Sequence, residues 1–88
     1  MNKTIIEQYQ AAKSVERNTI LFFGCGDFYE LFFDDAKIAA RVLGLTLTTR
    51  DKRDDNPVPM AGFPRHQISG YLLKLAQHGY SVTICEAS

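Results

Sequence analysis

The stretch Gly24-Cys25-Gly26-Asp27-Phe28-Tyr29-Glu30-Leu31-Phe32-Phe33 constrains this chain more than any other. Gly, Asp and Gly together read as a tight hairpin connection, because glycine accepts the positive φ that such turns need. The aromatic and apolar run after it, residues 28–33, reads as a strand. Strand geometry then sorts its side chains: Phe28, Glu30 and Phe32 share one face, and Tyr29, Leu31 and Phe33 the other. Desolvating an unpartnered carboxylate costs several kcal/mol, so Glu30 is expected near water, and Phe28, two residues earlier on the same face, with it. An exposed aromatic beside a carboxylate can contact a flat, hydrogen-bonding ligand. The structural alternative is that Phe28 belongs to the core and Glu30 points out of a sheet edge.

Residues 4–17 read as a helix opened by Thr4 and Glu7 at capping-box spacing. Ile5, Tyr9 and Ala12 share a face with Ile6 beside them, and Lys13 and Arg17 suit the C-terminal end. Residues 19–23, with Ile20, Leu21, Phe22 and Phe23, form a continuous apolar run and read as a central strand buried on both faces, pairing with residues 28–33 as a hairpin. Asp34 is expected to cap a second helix, in which Ala36, Ala39, Ala40 and Leu43 line one face and Gly44 ends it. Residues 45–50 alternate like a half-buried strand with Leu45 and Leu47 inward. Residues 51–57 read as a charged surface loop. Residues 58–62 read as an edge strand, since Pro57 and Pro59 remove ladder donors. A third helix is expected over residues 66–78, with Ile68, Tyr71, Leu72 and Leu75 on one stripe and Gly79 as its stop. A last strand over residues 80–85 would turn Val82 and Ile84 inward.

This order defines an α/β fold, a single mixed β-sheet of about four to five strands with three helices packed on it. Its parallel crossovers should be right-handed. At 88 residues, with 45% hydrophobic content and no repeat or low-complexity tract, the chain reads as one globular domain, residues 1–88. Met1-Asn2-Lys3-Thr4 has no signal-peptide character, and no apolar run approaches the ~20 residues that span a bilayer, so a cytoplasmic location without a membrane partner is expected.

Charge and motifs narrow the chemistry. Ten basic and ten acidic residues cancel, which argues against tight autonomous nucleic-acid binding. Cys25 and Cys85 lack any CxxC partner and read as reduced thiols. Together with His66 and His78 they have no paired zinc-ligand spacing. Asp27, Glu30, Asp34, Asp35 and Lys37 invite comparison with metal-dependent nucleases, but side chains at a helix start fan apart, and capping explains the aspartates better. No GxxxxGK[ST] phosphate loop is present. Nothing in the pattern points to an enzyme.

The string GDFYELFF within residues 21–33, followed by Asp34-Asp35-Ala36-Lys37, closely resembles the N-terminal mismatch-recognition domain (domain I) of the MutS family of DNA mismatch repair proteins. The likeness continues through LTLT at residues 45–48, Pro57-Val58-Pro59-Met60-Ala61-Gly62, Pro64 with His66, and Ser81-Val82-Thr83-Ile84-Cys85-Glu86. It reaches back to Glu7-Gln8-Tyr9 in the first helix, so it covers nearly the whole chain. It implies a Phe-x-Glu motif at Phe28 and Glu30, in which Phe28 inserts beside a mispaired or unpaired base from the minor groove and Glu30 hydrogen-bonds that base. Arg50 matches a basic position at the DNA backbone, and Met60 one near the DNA. The implied partners are mismatched double-stranded DNA, bound weakly by this domain alone, and the remaining domains of a MutS protein or another repair protein. A free-standing protein-interaction module docking on such a partner, without DNA binding of its own, is the competing function. The resemblance implies no cofactor, because ATP and Mg belong to the family's ATPase domain, which this sequence does not contain. The sequence also departs from the family: Gly24-Cys25 replaces a frequent Arg-Met pair, Arg65 a usual Tyr, and Ala87 a usual Gln.

Overall fold

The spacing of Thr4 and Glu7 is realised in the computed structural model, which describes residues 4–50 and 57–88. The Thr4 hydroxyl accepts from the Glu7 backbone N–H and the Glu7 carboxylate accepts from the Thr4 N–H, closing both halves of the capping box. Helix α1 runs Ile5–Val15, ending before Arg17, and is followed by strands β1 (Ile20–Cys25) and β2 (Phe28–Phe32). Helix α2 (Phe33–Leu43), strands β3 (Thr48–Arg50) and β4 (Val58–Pro64), a short 3-10 turn (Arg65–Gln67), helix α3 (Ile68–Gln77) and strand β5 (Val82–Glu86) complete the order. One mixed five-stranded sheet, β3-β4-β2-β1-β5, is parallel only between β1 and β5. The expected α/β class is therefore correct, and the charged segment 51–56 lies outside the described residues.

The sheet is covered on both faces. On the first, α2 and α3 bury Ile20, Phe22, Leu31, Ala61 and Phe63 against Ala36, Ala39, Leu43 and Leu75. The alanines of α2 leave space for the rings beneath, where Phe63 meets Phe22 at 5.1 Å and Tyr71 at 4.6 Å between centroids. Such aromatic pairs add to what area burial supplies. On the second face α1 lays Tyr9 over Leu21, Phe23 and Phe32, with Ile5, Ile6 and Ala12 beside it. Burial of β1 from both sides follows, as its uninterrupted apolar run requires.

β4 is not an edge strand. It sits between β3 and β2, and the proline argument fails because the two neighbours are staggered. β3 flanks β4 only over Val58 to Met60, and β2 only over Met60 to Pro64. Pro59 and Pro64 each lie where one side of β4 is unpaired, so neither needs two ladder partners.

The strand expected at residue 45 begins only at Thr48. Gly44 ends α2 at φ +74°, and the next three residues carry the chain back to the sheet. Leu45 packs on the first core cluster, but Leu47 is exposed. Ile84 also departs from expectation: it shares the face of Val82 but stays exposed on the edge strand β5.

Asp34 does not cap α2. The cap position belongs to Phe32 and makes no side-chain bond, and Phe33 takes φ +56°, passing from strand to helix within one residue. Such a backbone costs an L-residue about 1–2 kcal/mol. Asp35 instead turns inward. Its carboxylate accepts from the Tyr9 hydroxyl at 2.5 Å, from Lys13 Nζ at 2.9 Å and from the Leu21 backbone N–H at 3.1 Å. The last bond satisfies a donor on β1 beyond the last β1–β2 ladder pair, Phe23↔Glu30. Lys13 also donates to the Thr19 carbonyl and Tyr9 to that of Phe32. This buried hub ties α1, β1, β2 and α2 together. Burial first, and then the Asp35 carboxylate, push the Tyr9 phenol far above its ordinary range.

Candidate nucleic-acid interface

α1 covers only part of the second face. Beyond Phe32, β2 continues as Glu30 and Phe28 on that same side, while Tyr29 and Leu31 point to the first core. The alternation read from sequence thus holds along β2, although Phe33 leaves the strand for the helix.

Two residues connect β1 to β2. Cys25 pairs with Phe28, leaving Gly26 and Asp27 as the loop. Gly26 alone has positive φ, +57°, the sign pattern of a type II′ turn. Gly24 lies inside β1 and is not a turn residue, so its glycine has another cause. The turn holds Phe28 at one end of β2, 49% exposed, while Leu31 and Phe32 at the other end are fully buried.

Glu30 is more enclosed than expected, at 18% side-chain exposure, because it has a partner. Arg50 Nη1 donates to its Oε1 at 3.2 Å, and the Arg50 guanidinium lies 5.9 Å from the centre of the Phe32 ring. Gly62 opposes Glu30 in register, where a Cβ would stand 3.1 Å from the Tyr29 carbonyl and 3.7 Å from Glu30 Cγ. The bare glycine lets the carboxylate lean over β4. Met60, opposite Phe32, packs against the second cluster. The structure therefore brings Phe28, Glu30, Arg50 and Met60 to one face, with Arg50 engaged to Glu30.

Cys25 borders this group. Burial pushes its thiol up to about 11, and the Glu30 carboxylate adds to the shift by charge and hydrogen bonding. Asp27, Glu30, Asp34 and Asp35 do not converge, and among the described residues no group of His, Cys, Asp and Glu could hold a metal ion. Among those same residues, no helix is long and apolar enough to cross a membrane.

Sequence reasoning noted Arg65 only as a departure and missed its role. The row Tyr29–Gly24–Glu86 crosses β2, β1 and β5 in register on the first face, and the Arg65 guanidinium lies over it. It stands 4.8 Å from the Tyr29 ring centre and donates to the Glu86 carboxylate at 2.9 and 2.5 Å. Arg65 Nε donates to the Gly26 carbonyl at 2.6 Å, and the Arg65 backbone N–H to that of Asp27 at 3.0 Å. The Glu86 hydrogen bonds raise the affinity of Arg65 for its proton and hold the Glu86 carboxyl below its usual range. A glycine inside a strand pattern was the available signal, since it marks a close approach of other groups.

The family model of MutS domain I matches residues 3–88 of this chain. The DNA mismatch repair protein MutS of Rhodopirellula baltica is 55% identical over 82 residues, which cover 93% of this chain and 9% of that protein. The proteins of the same name from Staphylococcus saprophyticus and Fusobacterium nucleatum are each 50% identical over 82 residues, with the same coverage. This chain belongs to the MutS domain I family. It spans only about a tenth of the length of the relatives it matches, and that portion is not the family's ATPase domain.

Proposed function

We propose that this chain is the mismatch-sensing DNA-binding module of a DNA mismatch repair protein, a single domain over residues 1–88 that performs no catalysis itself. The observation that carries the reading is the exposure of Phe28 at the open end of a strand whose other end is buried. In this reading Phe28 is an apolar wedge at the minor groove. Unstacking a base step costs a few kcal/mol, and less where pairing is already defective. A defective step is also easier to kink, so discrimination needs no base-edge code. Glu30 accepts a hydrogen bond from the displaced base, Arg50 turns from Glu30 to a phosphate, and Met60 lines the approach. The carboxylate opposes the phosphates and weakens binding to intact duplex.

Zero net charge limits the affinity of the module alone to roughly the 10⁻⁴ M range typical of non-specific binding, or weaker. The remaining domains of a MutS protein are its natural partners, and a cytoplasmic setting without a membrane suits the reading. The test is a titration of isotope-labelled protein with short matched and mismatched duplexes, followed by NMR. Mismatch-dependent shifts at residues 26–30 that disappear in Phe28→Ala support the wedge. Identical responses to both duplexes overturn it.

The second reading is a protein-interaction module docking on another repair protein. The neutral charge and the exposed Val15, Leu73 and Ile84, all outside the wedge, favour it. Binding to a repair protein that survives Phe28→Ala, without response to either duplex, would establish that function.

A further inference from the structure

We infer that Arg65, held by Glu86 over Gly24, is the positioning residue of the Phe28 wedge, an inference that rests on the reading of Phe28 given above. The wedge follows a two-residue turn whose Gly26 and Asp27 lie outside the ladder that pairs Phe28 with Cys25 and Pro64, so restraints on the turn must come from elsewhere. Arg65 supplies them from the opposite face of the hairpin. Its side chain binds the carbonyl of Gly26, and its backbone N–H binds that of Asp27, the two residues immediately before Phe28. The guanidinium is itself fixed by two bonds to Glu86 and by the Tyr29 ring. Glu86 cannot drift, because the backbone N–H of Ala87 binds the Gly24 carbonyl at 2.8 Å and ends β5 in register.

Gly24 is the permissive element. A Cβ there would lie 2.5 Å from both Glu86 carboxylate oxygens and 2.6 Å from Arg65 Nη2. Any other residue at this place expels the ion pair. The pair is also poorly suited to stabilising the fold, since its side chains are 35% and 55% exposed, and exposed ion pairs contribute little. What it offers is geometry: a planar fork that meets a carboxylate with two nitrogens and a carbonyl with a third. A lysine can reach Glu86 but cannot hold both ends.

The test uses the whole chain, a short duplex with one unpaired thymine and its fully paired counterpart. Arg65→Lys and Gly24→Ala should each shift the thermal midpoint by no more than about 8 °C in either direction, without selectively speeding amide exchange in β1. Both should speed amide exchange at Phe28 and lower the ratio of unpaired-thymine to paired-duplex affinity about tenfold. A ratio unchanged in both variants, against a wild type that discriminates, overturns the positioning role and leaves the wedge standing. A wild type that does not discriminate overturns the wedge and the positioning role together. A general loss of stability with uniformly faster exchange makes Arg65 an ordinary structural residue and also overturns the inference.

Discussion

Gly24 and Arg65 compete for one volume: the absent Cβ of the first would sit 2.6 Å from a guanidinium nitrogen of the second. The conflict is with the far ends of flexible side chains, which can move aside, and alanine is favoured over glycine in a strand by about 0.5–1 kcal/mol. Gly24→Ala should therefore change unfolding free energy by less than about 1 kcal/mol in either direction. Urea denaturation checks the stability, and the Arg65 Nε resonance, shifted on losing the Gly26 carbonyl, checks the displacement.

Phe28→Ala removes a ring that is 49% exposed, so stability should fall by less than about 1 kcal/mol, against about 3–5 kcal/mol for the fully buried Phe22→Ala. Thermal denaturation of the two variants side by side tests the contrast. A large loss at Phe28 would mean that the ring serves the core.

Glu30→Ala removes a carboxylate and frees Arg50, whose guanidinium is now 3.2 Å from it. Both changes favour phosphates. Affinity for fully paired duplex should rise about threefold to tenfold while preference for a mismatch shrinks, and the salt dependence should steepen. Titrations at two ionic strengths measure all three, and unchanged affinity for paired duplex would refute the expectation.

The Cys25 thiol, pushed up to about 11, should alkylate slowly at pH 8, with a rate still climbing about tenfold per pH unit up to pH 10. Glu30→Gln removes one cause of the shift and should accelerate the reaction at fixed pH. Iodoacetamide labelling in a Cys85→Ser background isolates the signal.

Protonation of Glu86 should release Arg65. Its folded pKa lies below the ordinary 4.5, so the interaction is fully present above that pH and is lost as pH falls through the folded value. Amide protection at Phe28, relative to β1, should drop in that acidic window. Glu86→Gln should lower the protection at neutral pH and remove its pH dependence.

How legible the chain was depended on the range of the interactions. The capping box of Thr4 and Glu7, the positive φ of Gly26, Gly44 and Gly79, and the alternation along β2 are local, and sequence periodicity carries them. Asp35 illustrates the opposite. Nothing within a few residues distinguishes it from a helix-start aspartate, because its partners Tyr9, Lys13 and Leu21 arrive from two other elements. β4 was misplaced because proline rules speak of a strand as a whole, while its two halves have different neighbours. At the candidate interface, Phe28 and Glu30 could be put on one face from spacing. The tie between Glu30 and Arg50 could not, since it joins strands separated by β4.

The junction at Phe33 has a mechanical consequence. β2 passes into α2 with no intervening loop, and beside that junction stands the Tyr9–Asp35–Lys13 hub. A load applied to Phe28 is thus delivered along a short beam, braced at its tip by Arg65 and built into the core at its far end. Duplex DNA is compliant at a defective step. In the contact proposed for Phe28, the nucleic acid is therefore the body expected to give.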